Sequence, residues 1–279
     1  GPLRPLRPFD VGHPPERRDS GPPPGPQRKA SILTLRPEHP GKPSRWFPDL
    51  SDRIREPELM DAPGLDGERH VGALRGLARI NALSLSARRI WTEIENLSPP
   101  GDRPLRILDV ACGGGDVAIA IKSRADQAGR VLEVEGCDIS PVALEYAAKS
   151  AERRGLKVRF FQHDALEKKL PGGFDLVSSS LFLHHLSDSD SVAFLRDLAA
   201  VGRAILVQDL LRTRMGYLLA LSTVRVITRS QVVRADGPRS VRAAFSLPEV
   251  EHLALRAGLE GARIERCWPE RFSLSWGLS

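Results

Sequence analysis

Ile107-Leu108-Asp109-Val110-Ala111-Cys112-Gly113-Gly114-Gly115-Asp116 decides how this chain is read, because an apolar run ending in a carboxylate meets a glycine loop that opens a helical pattern. Leu105 to Ala111 has the apolar continuity of a parallel strand buried on both faces. Val117, Ala118, Ile119, Ala120 and Ile121 then begin a helix. Glycines between the two let the backbone approach a ligand that side chains would hold off, which is how nucleotide-like cofactors are bound.

The unit repeats downstream. Val131 to Cys137 reads as a second strand, ending at Asp138 and Ile139, and Ser140-Pro141 opens a helix with serine as N-cap and proline at the first helical position. Lys157 to Phe161 reads as a third strand, closed by His163-Asp164-Ala165, and Phe174 to Ser180 as a fourth. Three successive strand ends thus carry Asp109, Asp138 and Asp164. In an open parallel sheet the carboxyl edge of the strands is where ligands sit.

These residues resemble the class I S-adenosylmethionine-dependent methyltransferases: LDVACGGG as the glycine motif, GCDIS as the ribose-binding strand end, QHDAL as the adenine-binding one and FDLVSSSLFLHHL closing the site. The resemblance covers about residues 70 to 279. It implies S-adenosylmethionine as cofactor, with Asp138 accepting from the ribose hydroxyls, Ile139 covering adenine, and Asp164 and Ala165 reading the ring edge. Gly113 and Gly115 would pass close to the methionine part, Ser180 would border it, and Asp109 would organise the loop or reach the ammonium group. Ala111 stands where the family pattern has its first glycine, the mildest replacement. Arg79 is a candidate for the cofactor carboxylate, and His184 and His185 for a general base at the point where the methyl group emerges.

The same glycines also fit a dinucleotide pattern, G-x-G-x-x-A with Asp138 as the ribose acid. Asp109 before the glycines, the third acid and the lack of a Tyr-x-x-x-Lys pair count against a nicotinamide oxidoreductase. A cofactor-binding but catalytically silent partner protein stays open as an alternative. The expected reaction is O- or C-methylation of a small, apolar or phenolic acceptor such as a polyketide, phenolic lipid or quinone precursor.

The expected architecture is α/β: a Rossmann-like, seven-stranded, mostly parallel sheet with an antiparallel last strand, helices on both faces and an N-terminal helical cap. A fifth strand over Ala204 to Val207 and a C-terminal hairpin over Arg263 to Trp276 complete it. Residues 1–48 hold 13 of the 23 prolines and read as a disordered Pro/Arg-rich tail, since such a composition cannot build a core. Residues 49–100 read as the helical cap over the carboxyl edge, and residues 101–279 as the cofactor-binding domain, with a lid insertion at 210–245. Met215, Leu218, Leu219, Leu221, Val224, Val226 and Ile227 make that insertion apolar, with Arg212, Arg229 and Arg242 expected at its polar edge.

The tail has nine Lys/Arg against four Asp/Glu and so carries five of the six net positive charges. The remainder is nearly neutral, and no nucleic-acid partner is expected. The three cysteines, Cys112, Cys137 and Cys267, are too scattered for a metal motif; no metal is expected, and a reducing, cytoplasmic setting is. A homodimer and a peripheral lipid contact stay open as partners beside the small-molecule acceptor.

Overall fold

The structure is a computed structural model that describes residues 48–62, 64–97 and 103–277. Seven strands form one sheet: β1 (Leu105–Val110), β2 (Leu132–Asp138), β3 (Arg159–Gln162), β4 (Phe174–Ser180), β5 (Gly202–Leu210), β6 (Arg263–Cys267) and β7 (Arg271–Trp276), in the order β3-β2-β1-β4-β5-β7-β6. β1 to β5 run parallel and β7 runs antiparallel between β5 and β6. The chain moves outward from β1 to β3 and then returns to β4 on the other side of β1. That reversal opens a crevice at the carboxyl ends of β1 and β4, where the glycine loop lies.

The pleat distributes the apolar residues. Leu105, Ile107, Leu176, Ala204 and Leu206 face one layer with Ile90, Ile94 and Ile121, while Leu108, Val110, Val177, Ile205 and Val207 face the other with Phe194, Leu198 and Phe272. Period-two alternation within strands that read as continuously apolar is what a sheet covered on both faces requires. The covering helices are α2 (Ser86–Asn96) and α3 (Asp116–Gln127) in the first layer, and α5 (Asp188–Val201) and α8 (Leu247–Arg256) in the second. Ser140 caps α4 (Pro141–Glu152) by accepting from the Ala143 N–H, as expected, and Ser187 caps α5 through the Asp190 N–H.

Three departures from the sequence reading stand out. The cap expected over 49–100 divides: α1 (Gly67–Leu83) crosses the carboxyl edge, but α2 packs Ile90, Trp91 and Ile94 into the core. Residues 48–62 form instead an extended strap with a single 3-10 turn, Leu59–Asp61. The lid is two helices, α6 (Arg214–Ile227) and α7 (Gln231–Ala243), which pack with α1 around Ala73, Val224, Val232 and Val233. The tail expected over 1–48 lies outside the described residues, Pro48 excepted.

Candidate functional site

A cavity of about 670 Å³ occupies the carboxyl edge, walled by the ends of β1, β2 and β4, by α1, and by the strap and lid. On its floor the glycine loop is tied to β2. The Gly113 N–H donates to Asp138 Oδ2 and the Ser140 N–H to Asp138 Oδ1, each at 2.8 Å. Each carboxylate oxygen keeps a second lone pair for a ligand, so these bonds aim the group without exhausting it. Asp164 lines the cavity with its Oδ1 held by the Leu166 N–H at 3.0 Å. Ile139, Ala165, Ala111 and Ser180 are also on the wall, and the buried Ser180 hydroxyl has no partner among the described residues.

Asp109 is buried at the end of β1 and accepts from Ser178 Oγ at 3.0 Å. Burial, reinforced by the neighbouring Asp116 and Asp138 charges, pushes its carboxyl up to about 7. Burial likewise raises Asp116. Three carboxyl groups crowded at one loop make a site that favours a cationic ligand. The backbone is strained here as well. Among the described residues, four non-glycines have left-handed φ, and three of them, Ala111 (54°), Leu181 (58°) and Glu270 (56°), line this cavity. Such conformations persist where the surrounding structure imposes them, commonly at functional sites.

Two expected cofactor residues are elsewhere. Gly115 is not on the cavity wall: a Cβ there would stand 2.7 Å from the Phe160 ring and 2.8 Å from the Ala147 methyl, so the glycine serves loop-to-sheet packing, and Gly114 takes the wall position. Arg79 is exposed on the far side of α1, donates to the Ile227 carbonyl at 3.4 Å and borders a separate hollow with Arg69, Arg75 and Arg229. The guanidinium that does reach the cavity is Arg271, at the start of β7, which sequence reasoning missed. It is buried, donates to Asn81 Oδ1 at 3.2 Å and Ser86 Oγ at 2.7 Å, and leaves its Nε without a partner among the described residues. Burial brings it down to about 10. A signal existed in principle, since Arg271 is the one charged residue of RFSLSW, an otherwise uncharged strand.

The opposite end of the cavity holds both histidines, on the turn after β4. His184 is buried, with Nδ1 2.7 Å from Asp209 Oδ1 and Nε2 3.6 Å from Glu58 Oε1. Burial alone would lower it, but the Asp209 and Glu58 carboxylates outweigh that and push it up to about 10. Held between these two carboxylates, His184 keeps its proton more firmly than a free imidazole does, which counts against the general-base role expected of it. His185 is half-buried, stacks on His184 with ring centroids 4.2 Å apart and sets Nδ1 3.3 Å from Asp61 Oδ2. Glu58 and Asp61 come from the strap. Arg53 clamps that strap to the histidine turn by donating to the His184 and Leu186 carbonyls, while the Leu59 and Met60 N–H groups donate to Asp236 of α7. The arginines expected at the lid's polar edge do not reach the cavity: Arg212 grips Glu249, Arg242 pairs with Glu56, and Arg229 lies in the separate hollow.

A sequence-family profile described as a methyltransferase domain matches residues 107–204. The demethylmenaquinone methyltransferase of Thermus thermophilus is 40% identical over 108 residues, 38% of this chain and 47% of that protein, so the match spans about half of this relative. The ubiquinone biosynthesis O-methyltransferase of Ralstonia nicotianae is 32% identical over 194 residues, 67% of this chain and 73% of that protein. The chain belongs to the class I S-adenosylmethionine-dependent methyltransferases. The crystal structure of the S-adenosylmethionine-dependent methyltransferase SibL shares the fold, with a TM-score of 0.55 at 23% identity over 77% of this chain and 59% of that one. As a methyltransferase of this class the chain would use S-adenosylmethionine, and its residues fit that cofactor. A crowded acidic loop suits its positive sulfonium and ammonium groups, Asp138 suits a cis-diol, and Arg271 suits a carboxylate.

Proposed function

We propose that this chain transfers the methyl group of S-adenosylmethionine to an oxygen or carbon atom of a small, apolar acceptor of the phenolic or quinone-precursor type. The observation that carries this reading is the joining, in one cavity, of the acidic cofactor loop to an apolar wall of Met60, Leu65, Leu77, Leu219, Val224 and Val233. The bound cofactor supplies an electrophilic methyl group on its sulfonium. The chain's own residues bind, orient and exclude water. Asp138 accepts from the ribose hydroxyls, Asp164 from the adenine amino group, and Arg271 replaces Arg79 as the holder of the carboxylate. Strap and lid together close the acceptor end, where His185 and Asp61 face the reacting atom.

The quinone-pathway names of the Thermus and Ralstonia relatives support an acceptor of this class. Among the described residues no helix is long and apolar enough to cross a membrane, and the three cysteines are unpaired, which suits the reducing cytoplasm. The test is methyl transfer from labelled cofactor to phenolic acceptors of increasing alkyl length. Each methylene buried against the apolar wall contributes up to about 0.8 kcal/mol, or roughly fourfold in kcat/KM. A flat series, or a preference for a charged acceptor, overturns the apolar-acceptor reading.

A further inference from the structure

We propose that Glu58, His184 and His185 form a binding site for a divalent transition-metal ion at the acceptor end of the cavity. One donor atom from each lies within 4.8 Å of the others, and all three residues line the cavity. The 3.6 Å between Glu58 Oε1 and His184 Nε2 suits two ligands at about 2.1 Å from a common ion, subtending roughly 120°.

The residues behind this trio are arranged as they are behind metal ligands. Asp209, itself buried, takes His184 Nδ1 at 2.7 Å and the His184 backbone N–H at 2.9 Å, which turns Nε2 toward Glu58. A carboxylate behind the far nitrogen of an imidazole is the usual way a histidine ligand is oriented and made more basic. Ser240 Oγ donates to Glu58 Oε1, fixing the second ligand from the lid. Two imidazole nitrogens and one carboxylate oxygen suit zinc, cobalt, nickel or iron rather than magnesium or calcium, which prefer all-oxygen sites. Sequence spacing hides the set, because Glu58 is on the strap and the histidines follow β4.

An ion held there joins the strap to the histidine turn, and the Nε2 proton of His184 leaves to solvent as the metal–nitrogen bond forms. Three protein ligands would leave a four-coordinate ion one open position, and all three ligands line the cavity. On the methyltransferase reading above, that position takes the acceptor oxygen: its lone pair binds the ion, its O–H bond weakens, and the proton passes to the Asp61 carboxylate beside His185.

The test uses the full chain stripped with chelator and titrated with cobalt(II), read by visible absorption and calorimetry, with S-adenosylhomocysteine titrated in parallel. The expected result is one equivalent of cobalt giving a ligand-field spectrum. Glu58→Gln and His185→Ala should each weaken binding at least about tenfold, and Asp209→Asn by about 10- to 100-fold. Melting curves of the metal-free variants identify any that fail to fold, and the remaining variants carry the comparison. No stoichiometric cobalt, or cobalt held equally by the folded variants, overturns the metal site even where S-adenosylhomocysteine binds. Cobalt bound as expected without S-adenosylhomocysteine binding supports the metal site and sinks the methyltransferase reading instead.

Discussion

Replacing Asp109 by Asn separates what the cofactor loop does for the fold from what it does for the ligand. The Asp109 carboxyl moves from an ordinary 3.8 to about 7 on folding, chiefly through burial. An acid whose folded pKa lies above its unfolded one keeps a proton that the unfolded chain has shed, so between pH 3.8 and 7 each rise in pH favours unfolding. At about 1.4 kcal/mol per pH unit the full displacement amounts to at most about 4 kcal/mol. Asn cannot ionise, yet its side-chain oxygen can still accept from Ser178. Asp109→Asn should therefore be more stable than the parent by up to about 4 kcal/mol at pH 8.5, with the advantage shrinking steadily toward pH 4. Its affinity for S-adenosylhomocysteine should fall roughly 10- to 100-fold, the loss of one charge-assisted contact. Urea denaturation across this pH range, with and without S-adenosylhomocysteine, measures both. A variant less stable at every pH, or a pH-independent difference, would refute the burial argument, and unchanged affinity would refute the cation-binding role.

Gly115→Ala should cost about 2–4 kcal/mol in urea denaturation, because its Cβ would overlap the Phe160 ring at a φ of 70°, whereas Ala111→Gly, which relieves a left-handed alanine, should leave stability unchanged or raise it by up to about 1 kcal/mol. Equal costs for the two would undo the assignment of Gly115 to packing. Arg271→Met should weaken S-adenosylhomocysteine roughly tenfold or more by calorimetry while Arg79→Ala changes nothing, and the opposite pattern would restore Arg79 as the carboxylate holder. Glu249, gripped by Arg212 and closing the capping box of α8, has its carboxyl held down to about 2 although its side chain is 39% exposed. The stabilisation it contributes is complete above about pH 4.5 and is lost as pH falls through about 2, so after discounting for solvent screening Glu249→Gln should cost about 1 kcal/mol at pH 7 and vanish near pH 2. A cost that persists at pH 2 would remove the ionic explanation.

What the sequence determined by itself is local and periodic. Strand, glycine loop and helix succeed one another within about a dozen residues, so Asp109, Asp138 and Asp164 could be placed at three strand ends from spacing alone, and with them the sheet and the cofactor edge. The same local reasoning could not tell which glycine faces the ligand, because Gly113 and Gly114 border the cavity while Gly115 turns under Phe160, a residue of another strand. Nor could it choose between Arg79 and Arg271: one lies on the outer face of α1, and the other enters the crevice only because β7 runs antiparallel beside β5. His184 was visible as a residue after β4, but its protonation depends on Asp209 from β5 and Glu58 from the strap. Backbone hydrogen bonding and hydrophobic period act over a few residues and are written into the sequence. Electrostatic environment is set by whatever the fold brings within a few ångströms, and here only the tertiary structure decided it.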